Sequence, residues 1–260
     1  MQHRLFALLA ALTVAFPGTA QAADLNDTGI TSCSNNTAVD NSTGVQYDFG
    51  SHPRQDCRYG RDPAAAAGMA KIGDGGKGFD FSKIANDGSV LPASAVLGSA
   101  ATQWACTRDN VTGLIWEVKT ASGLRGWNHV YSWYNSDAAT NGGNAGKPSG
   151  GSCATSGRCD TEKFVADVNA ARLCGAAGWR MPTKSELISI VDYGRTDPAI
   201  DPTYFPNTNA GAHLSELYFW ASSTRASNSG GAWRVYFGNG FAWLNSKLAN
   251  DLVRLVRVGQ

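Results

Sequence analysis

LYFWASSTRASNSGGAWRVYFGNGFAWLNSKLANDLVRLVRV, running from Leu217 to Val258, is the stretch that decides the fold. It carries three tryptophans, Trp220, Trp233 and Trp243. Apolar residues alternate there with Arg, Tyr, Asn and Lys, the period of a strand with one face turned inward. Strands are expected near Leu217–Ser222, Ala232–Phe237, Phe241–Asn245 and Val253–Val258. Gly238-Asn239-Gly240 supplies a hairpin turn between two of them. In AWRVYF, Trp233, Val235 and Phe237 share one face, and Arg234 and Tyr236 the other.

Working back along the chain, two helices are expected. Glu162 to Leu173 sets Phe164, Val165, Val168, Ala170 and Ala171 on a helical stripe. Asp160 or Thr161 caps its start, and Gly175 lies just past its end. The second starts at Thr183, where Thr183-Lys184-Ser185-Glu186 fits a capping box, buries Leu187, Ile190 and Val191, and stops at Gly194. Cys106 to Lys119, CTRDNVTGLIWEVK, reads as a hairpin with Leu114–Val118 as its buried strand. Glu117 is expected to face solvent or to pair with an arginine. Phe79–Ile84 reads as a strand. Asn135–Gly157 reads as a long surface loop, rich in Gly, Asn and Ser. GDGGKG at Gly73–Gly78 lacks the Ser or Thr of a phosphate loop and reads as a turn.

The totals fix the class. The chain has 260 residues, 43% hydrophobic and 17% charged, enough to build a core. Formal net charge is +1, which calls for neither nucleic acid nor an anionic membrane surface. Arg4 followed by the apolar run Leu5–Phe16 and by Ala20-Gln21-Ala22 reads as a secretory signal over residues 1–22. The apolar run is too short to span a bilayer, and no later stretch is long enough. The expected organisation is therefore a signal, an N-terminal disulfide-closed extension over 23–100, and a main domain over 101–260. The protein is expected to be exported, to the periplasm, the outer surface or the medium.

Six cysteines suit that compartment and allow fifteen connectivities. Proximity suggests Cys33–Cys57 and Cys153–Cys159, which leaves Cys106 for Cys174. Metal ligation by Cys or His is not expected, because no C-x-x-C occurs and His52, His129 and His213 are scattered. Asp192, Asp197 and Asp201 invite a calcium reading, but their spacing is not that of an EF-hand loop. No metal and no cofactor is expected.

Several segments, in order, resemble the Lcl C-terminal domain family of bacterial exported proteins. They are CTRDNVTGLIWEVK, VNAARLCGAAGWRMPTKSEL, DYG with PAIDPTYFPN, FWASST, AWRVYFGNG and the closing VRLVR, covering roughly Trp104 to Val258. QDCRYGRD and FDFSKI resemble the leader often found ahead of that domain. The resemblance implies an α+β, C-type-lectin-like fold, related also to formylglycine-generating enzymes. Two helices would pack on a twisted, mostly antiparallel, disulfide-stapled sheet. It also implies cell-surface or adhesin-type roles.

Enzyme signatures are missing. There is no G-x-S-x-G, no histidine in a motif, and no Cys after Cys174 where the formylglycine-generating enzymes use cysteine chemistry. FPN at Phe205–Asn207 and WLN at Trp243–Asn245 only echo the calcium-lectin loops. The expected function is thus non-catalytic recognition of a surface glycan or an envelope or host protein. The candidate residues are Arg225, Asn228, Arg234, Tyr236, Asn239, Phe241, Trp243, Asn245 and Lys247. Aromatics can stack on a ligand while Asn and Arg supply directed hydrogen bonds. Trp220 and Trp233 are expected in the core, and Arg254 and Arg257 in structural contacts. The rival expectation is a structural accessory protein of a pilus or envelope assembly.

Overall fold

The computed structural model describes residues 26–33, 55–208 and 217–259. The expected signal at 1–22, His52 and His213 lie outside them. The architecture is α+β with mostly antiparallel sheets. Two short helices, α1 (Asp56–Tyr59) and α2 (Arg61–Ala66), precede β1 (Phe81–Ala85) and β2 (Val90–Leu91). Next come β3 (Trp104–Asp109), β4 (Leu114–Glu117) and β5 (Tyr131–Ser132). Helices α3 (Thr161–Ala170) and α4 (Lys184–Ile188) follow. The chain closes with β6 (Tyr218–Thr224), β7 (Gly231–Tyr236), β8 (Phe241–Ser246), β9 (Asn250–Asp251) and β10 (Val256–Val258).

Three sheets result. The five-stranded sheet has the order β10-β4-β3-β1-β2, β5 pairs with β9, and β6-β7-β8 form a meander. The larger sheet takes β1 and β2 from before residue 100 and its other strands from after it.

Strand alternation divides the interior in two. On β4, Leu114 and Trp116 enter one core cluster and Ile115 the other. On β6, Phe219 and Ala221 join the first and Trp220 the second. Both faces of these strands are covered, which is why YFWA and LIW read as unbroken apolar runs. Trp220 is fully buried and its indole N–H donates to the Tyr131 carbonyl at 2.9 Å. Trp233 is only half-buried, and the Lys184 ammonium lies over its ring.

The helices are shorter than their apolar stripes suggest. Asp160 caps α3 by accepting from Lys163 N. The helix ends at Ala170, short of the expected Leu173, and Arg172 then turns left-handed at φ 49°. A 3-10 turn at Leu173–Gly175 carries Cys174 to Cys106 on β3. Helix α4 begins on the expected capping box. Thr183 Oγ1 accepts from Glu186 N at 3.2 Å, and Glu186 Oε2 accepts from Thr183 N at 2.7 Å. It ends long before Gly194, where the Ser189 hydroxyl returns to the Glu186 carbonyl. Thr183→Ala is expected to cost about 1 kcal/mol of stability, and Thr183→Ser much less, as read by urea unfolding.

Three disulfides staple the chain, Cys33–Cys57, Cys106–Cys174 and Cys153–Cys159. This is the pairing that proximity suggested. Glu117 departs from its expectation. It is fully buried and pairs with Lys119 at 2.8 Å, not with solvent or an arginine. The GDGGKG segment is a turn, with the Lys71 ammonium on the Gly75 and Lys77 carbonyls. Arg254 is buried and structural, donating to the Glu117 carbonyl and to Thr208 Oγ1.

Candidate functional site

The meander builds a face from its register. Tyr218, Tyr236 and Phe241 stand opposite one another, and Trp220, Arg234 and Trp243 form the next row but one. Residues two apart on a strand share a face, so the two rows lie side by side. The inner end of this face is core, where Trp220 sits. The outer end, on edge strand β8, is open. Phe241 is 56% exposed and Trp243 52%, with their rings edge to face at 6.5 Å.

Between the buried and open ends lies a polar layer. The Arg234 guanidinium lies over the Tyr218 ring at 3.7 Å, and Tyr218 stacks on Tyr236 at 4.6 Å. Arg234 donates to Asp251 Oδ1 at 2.8 Å and Asn245 Nδ2 to Asp251 Oδ2 at 3.1 Å. Burial raises the Asp251 carboxyl, while Asn245 and Arg234 lower it. The layer is thus tied together by its own hydrogen bonds and ring stacking. Gly238 lets the Tyr236 ring fold against the turn, since a Cβ there would stand 2.3 Å from the ring. Gly240, at φ 81°, closes the turn.

A shallow concavity of about 400 Å³ adjoins this face. Arg225, Asn228, Leu244, Asn245 and Ser246 line it. Arg225 and Asn228 are exposed, and the Arg225 side chain is steadied by Ser227 Oγ at 2.9 Å. Asn239 is exposed on the turn, where its Oδ1 accepts from Phe241 N.

Eight of the nine expected residues therefore fall on this face, its turn or the adjoining concavity. Lys247 does not. It is 1% exposed, and its ammonium donates to the Asn141 and Asn144 carbonyls beneath the long loop. It anchors that loop to the end of β8 and cannot meet a ligand. Sequence reasoning missed Tyr218 and Asp251, which organise the face from β6 and β9. Asp192, Asp197 and Asp201 do not converge among the described residues. Asp192 pairs with Lys77 at 3.0 Å.

The model of the Lcl C-terminal domain matches residues 105–257, more than half of the chain. The chain belongs to the Lcl C-terminal domain family. The matched region runs from β3 into β10 and contains the whole meander. No curated protein and no solved structure matches the chain. Among the described residues, no helix of this Lcl C-terminal domain protein is long and apolar enough to cross a membrane.

Proposed function

We infer that this Lcl C-terminal domain protein is an exported, non-catalytic recognition module. It binds a surface glycan or protein through the outer face of the β6-β7-β8 meander. The observation that carries this reading is the pair Phe241 and Trp243, more than half exposed on an edge strand beside a hydrogen-bonded polar layer. Large apolar side chains exposed together mark interaction surfaces. Arg225, Asn228 and Asn245 add directed hydrogen bonds at the adjoining concavity. All six cysteines are paired, which leaves no thiol for nucleophilic chemistry and suits an oxidising compartment. The return of β10 to pair with β4, deep inside the chain, supports a C-type-lectin-like arrangement.

A glycan array followed by calorimetry on any hit tests the reading. Trp243→Ala is expected to weaken binding about tenfold to thirtyfold, as loss of an aromatic hot spot does. Its stability should barely change, because the ring is half in water. Tyr236→Ala should weaken binding as well. Ile72→Ala, a still more exposed apolar change elsewhere, should bind as the parent does. If no sugar binds and the protein instead co-purifies with one envelope component, glycan recognition is wrong. The same face would then serve a fixed assembly partner.

A further inference from the structure

Away from the meander, three carboxylates converge where the segment 26–33 meets the two short helices. Asp27 stands on that segment, Asp56 opens α1, and Asp62 lies in the first turn of α2. One oxygen from each lies within 4.8 Å of the other two. Acidic residues gather on many surfaces, but here Asp62 is buried, with Asp27 and Asp56 half-buried beside it. Asp62 is 5% exposed. Its Oδ1 accepts from Gly78 N at 2.8 Å, while its Oδ2 is buried and meets no donor. Asp27 is split the same way. Its Oδ2 accepts from the same Gly78 N at 3.0 Å, and its buried Oδ1 meets no donor. The Thr28 hydroxyl donates to Asp56 Oδ2.

One backbone N–H thus orients two carboxylates and leaves each with an orphaned inner oxygen. Ionised carboxylates only accept hydrogen bonds, so they cannot satisfy each other. A buried acceptor without a donor is costly, and a second negative group beside it adds to the cost. The ion pairs of Lys77, Lys119, Arg158, Lys163, Arg180 and Arg234 go to other carboxylates. A cation seated among Asp27, Asp56 and Asp62 would satisfy both orphaned oxygens at once.

We propose that Asp27, Asp56 and Asp62 bind a calcium ion that clamps the segment 26–33 onto α1 and α2. The donor set is all oxygen and mostly carboxylate, which suits a hard divalent cation. Calcium accepts several protein carboxylates in irregular geometry, whereas magnesium keeps most of its water. The clamp would act beside the Cys33–Cys57 bridge, which joins the same two pieces of chain.

The test uses the whole mature chain, stripped with EDTA, with calcium chloride and magnesium chloride as probes up to about 10 mM. Calorimetry should show one calcium per chain. Calcium at roughly a hundredfold over Kd should raise Tm by about 5–10 °C. Asp62→Asn keeps the acceptor for Gly78 N–H and should weaken calcium at least tenfold while remaining folded. Asp56→Asn should do the same, and Asp87→Asn, an exposed acid elsewhere, should not. The absence of any saturable calcium heat or Tm shift would overturn the proposal. So would unchanged calcium affinity in both Asn variants, or preference for magnesium.

Discussion

Glu117→Ala is expected to destabilise the fold by about 3–5 kcal/mol, the cost of stranding buried charge. Glu117 is fully buried on β4 and serves both sides of the chain. Its Oε1 takes the Lys119 ammonium at 2.8 Å and its Oε2 the Leu255 N–H at 3.0 Å. Around it lie three buried or mostly buried cations. Burial lowers Lys119 to about 8 and Arg254 to about 10, and in both Glu117 opposes the shift. Burial lowers Arg125 too, again against Glu117. Removing the one carboxylate that offsets all three leaves them facing a low dielectric unaided. Urea unfolding at pH 7 reads the loss. Glu117→Gln should cost less, because it can still accept from Leu255. The sign with pH is also fixed. Lys119 is already below its unfolded value of 10.5, so the native state binds fewer protons than the unfolded one between about 8 and 10.5. Stability in Glu117→Ala should therefore recover partly as pH rises through that range.

The misreading of Glu117 shows where sequence patterns stop. A charged residue within LIWEV looks like the outward side of a strand. β10 pairs along β4, Arg254, 137 positions away in sequence, reaches the Glu117 backbone carbonyl there, and its charge and that of Arg125, 8 positions away, act on the carboxylate through space. Local features were legible because their physics is local. The Thr183 capping box is written in four consecutive residues, and the Gly238–Gly240 turn sets the β7–β8 register by itself. That register placed Arg234, Tyr236, Phe241 and Trp243 together on one face. It did not reveal Tyr218, because the β6–β7 ladder shifts between Trp220 and Thr224 and counting back fails there. Lys247 was misplaced for a related reason. The strand ends at Ser246, and the next side chain turns under a loop more than a hundred residues earlier. The Asp27, Asp56 and Asp62 group was unreadable too, since its members come from separate elements and share no period.

Replacing both Cys106 and Cys174 by serine is expected to cost about 4 kcal/mol, from the loop-closure entropy returned to the unfolded chain. The bridge closes a sequence separation of 68 residues. Cys153–Cys159 closes a separation of only 6, so the matching double variant there should lose about 2 kcal/mol. The difference should widen for a second reason. Cys106 and Cys174 are both buried, in the core cluster that also holds Leu173 and Trp179. Two serine hydroxyls there would need donors and acceptors that an apolar cluster does not supply. A double alanine variant separates the two effects. It removes the cross-link without burying a hydroxyl, at the cost of a small cavity. Near-UV circular dichroism of the Trp179 environment and urea midpoints read the series. The order expected, from most to least stable, is parent, Cys153/Cys159 variant, Cys106/Cys174 to alanine, then Cys106/Cys174 to serine. If the two bridges prove equal, cross-linking over the long loop is not what fixes the turn after α3. The left-handed backbone at Arg172 would then be held by its own packing, with Leu173 as the anchor.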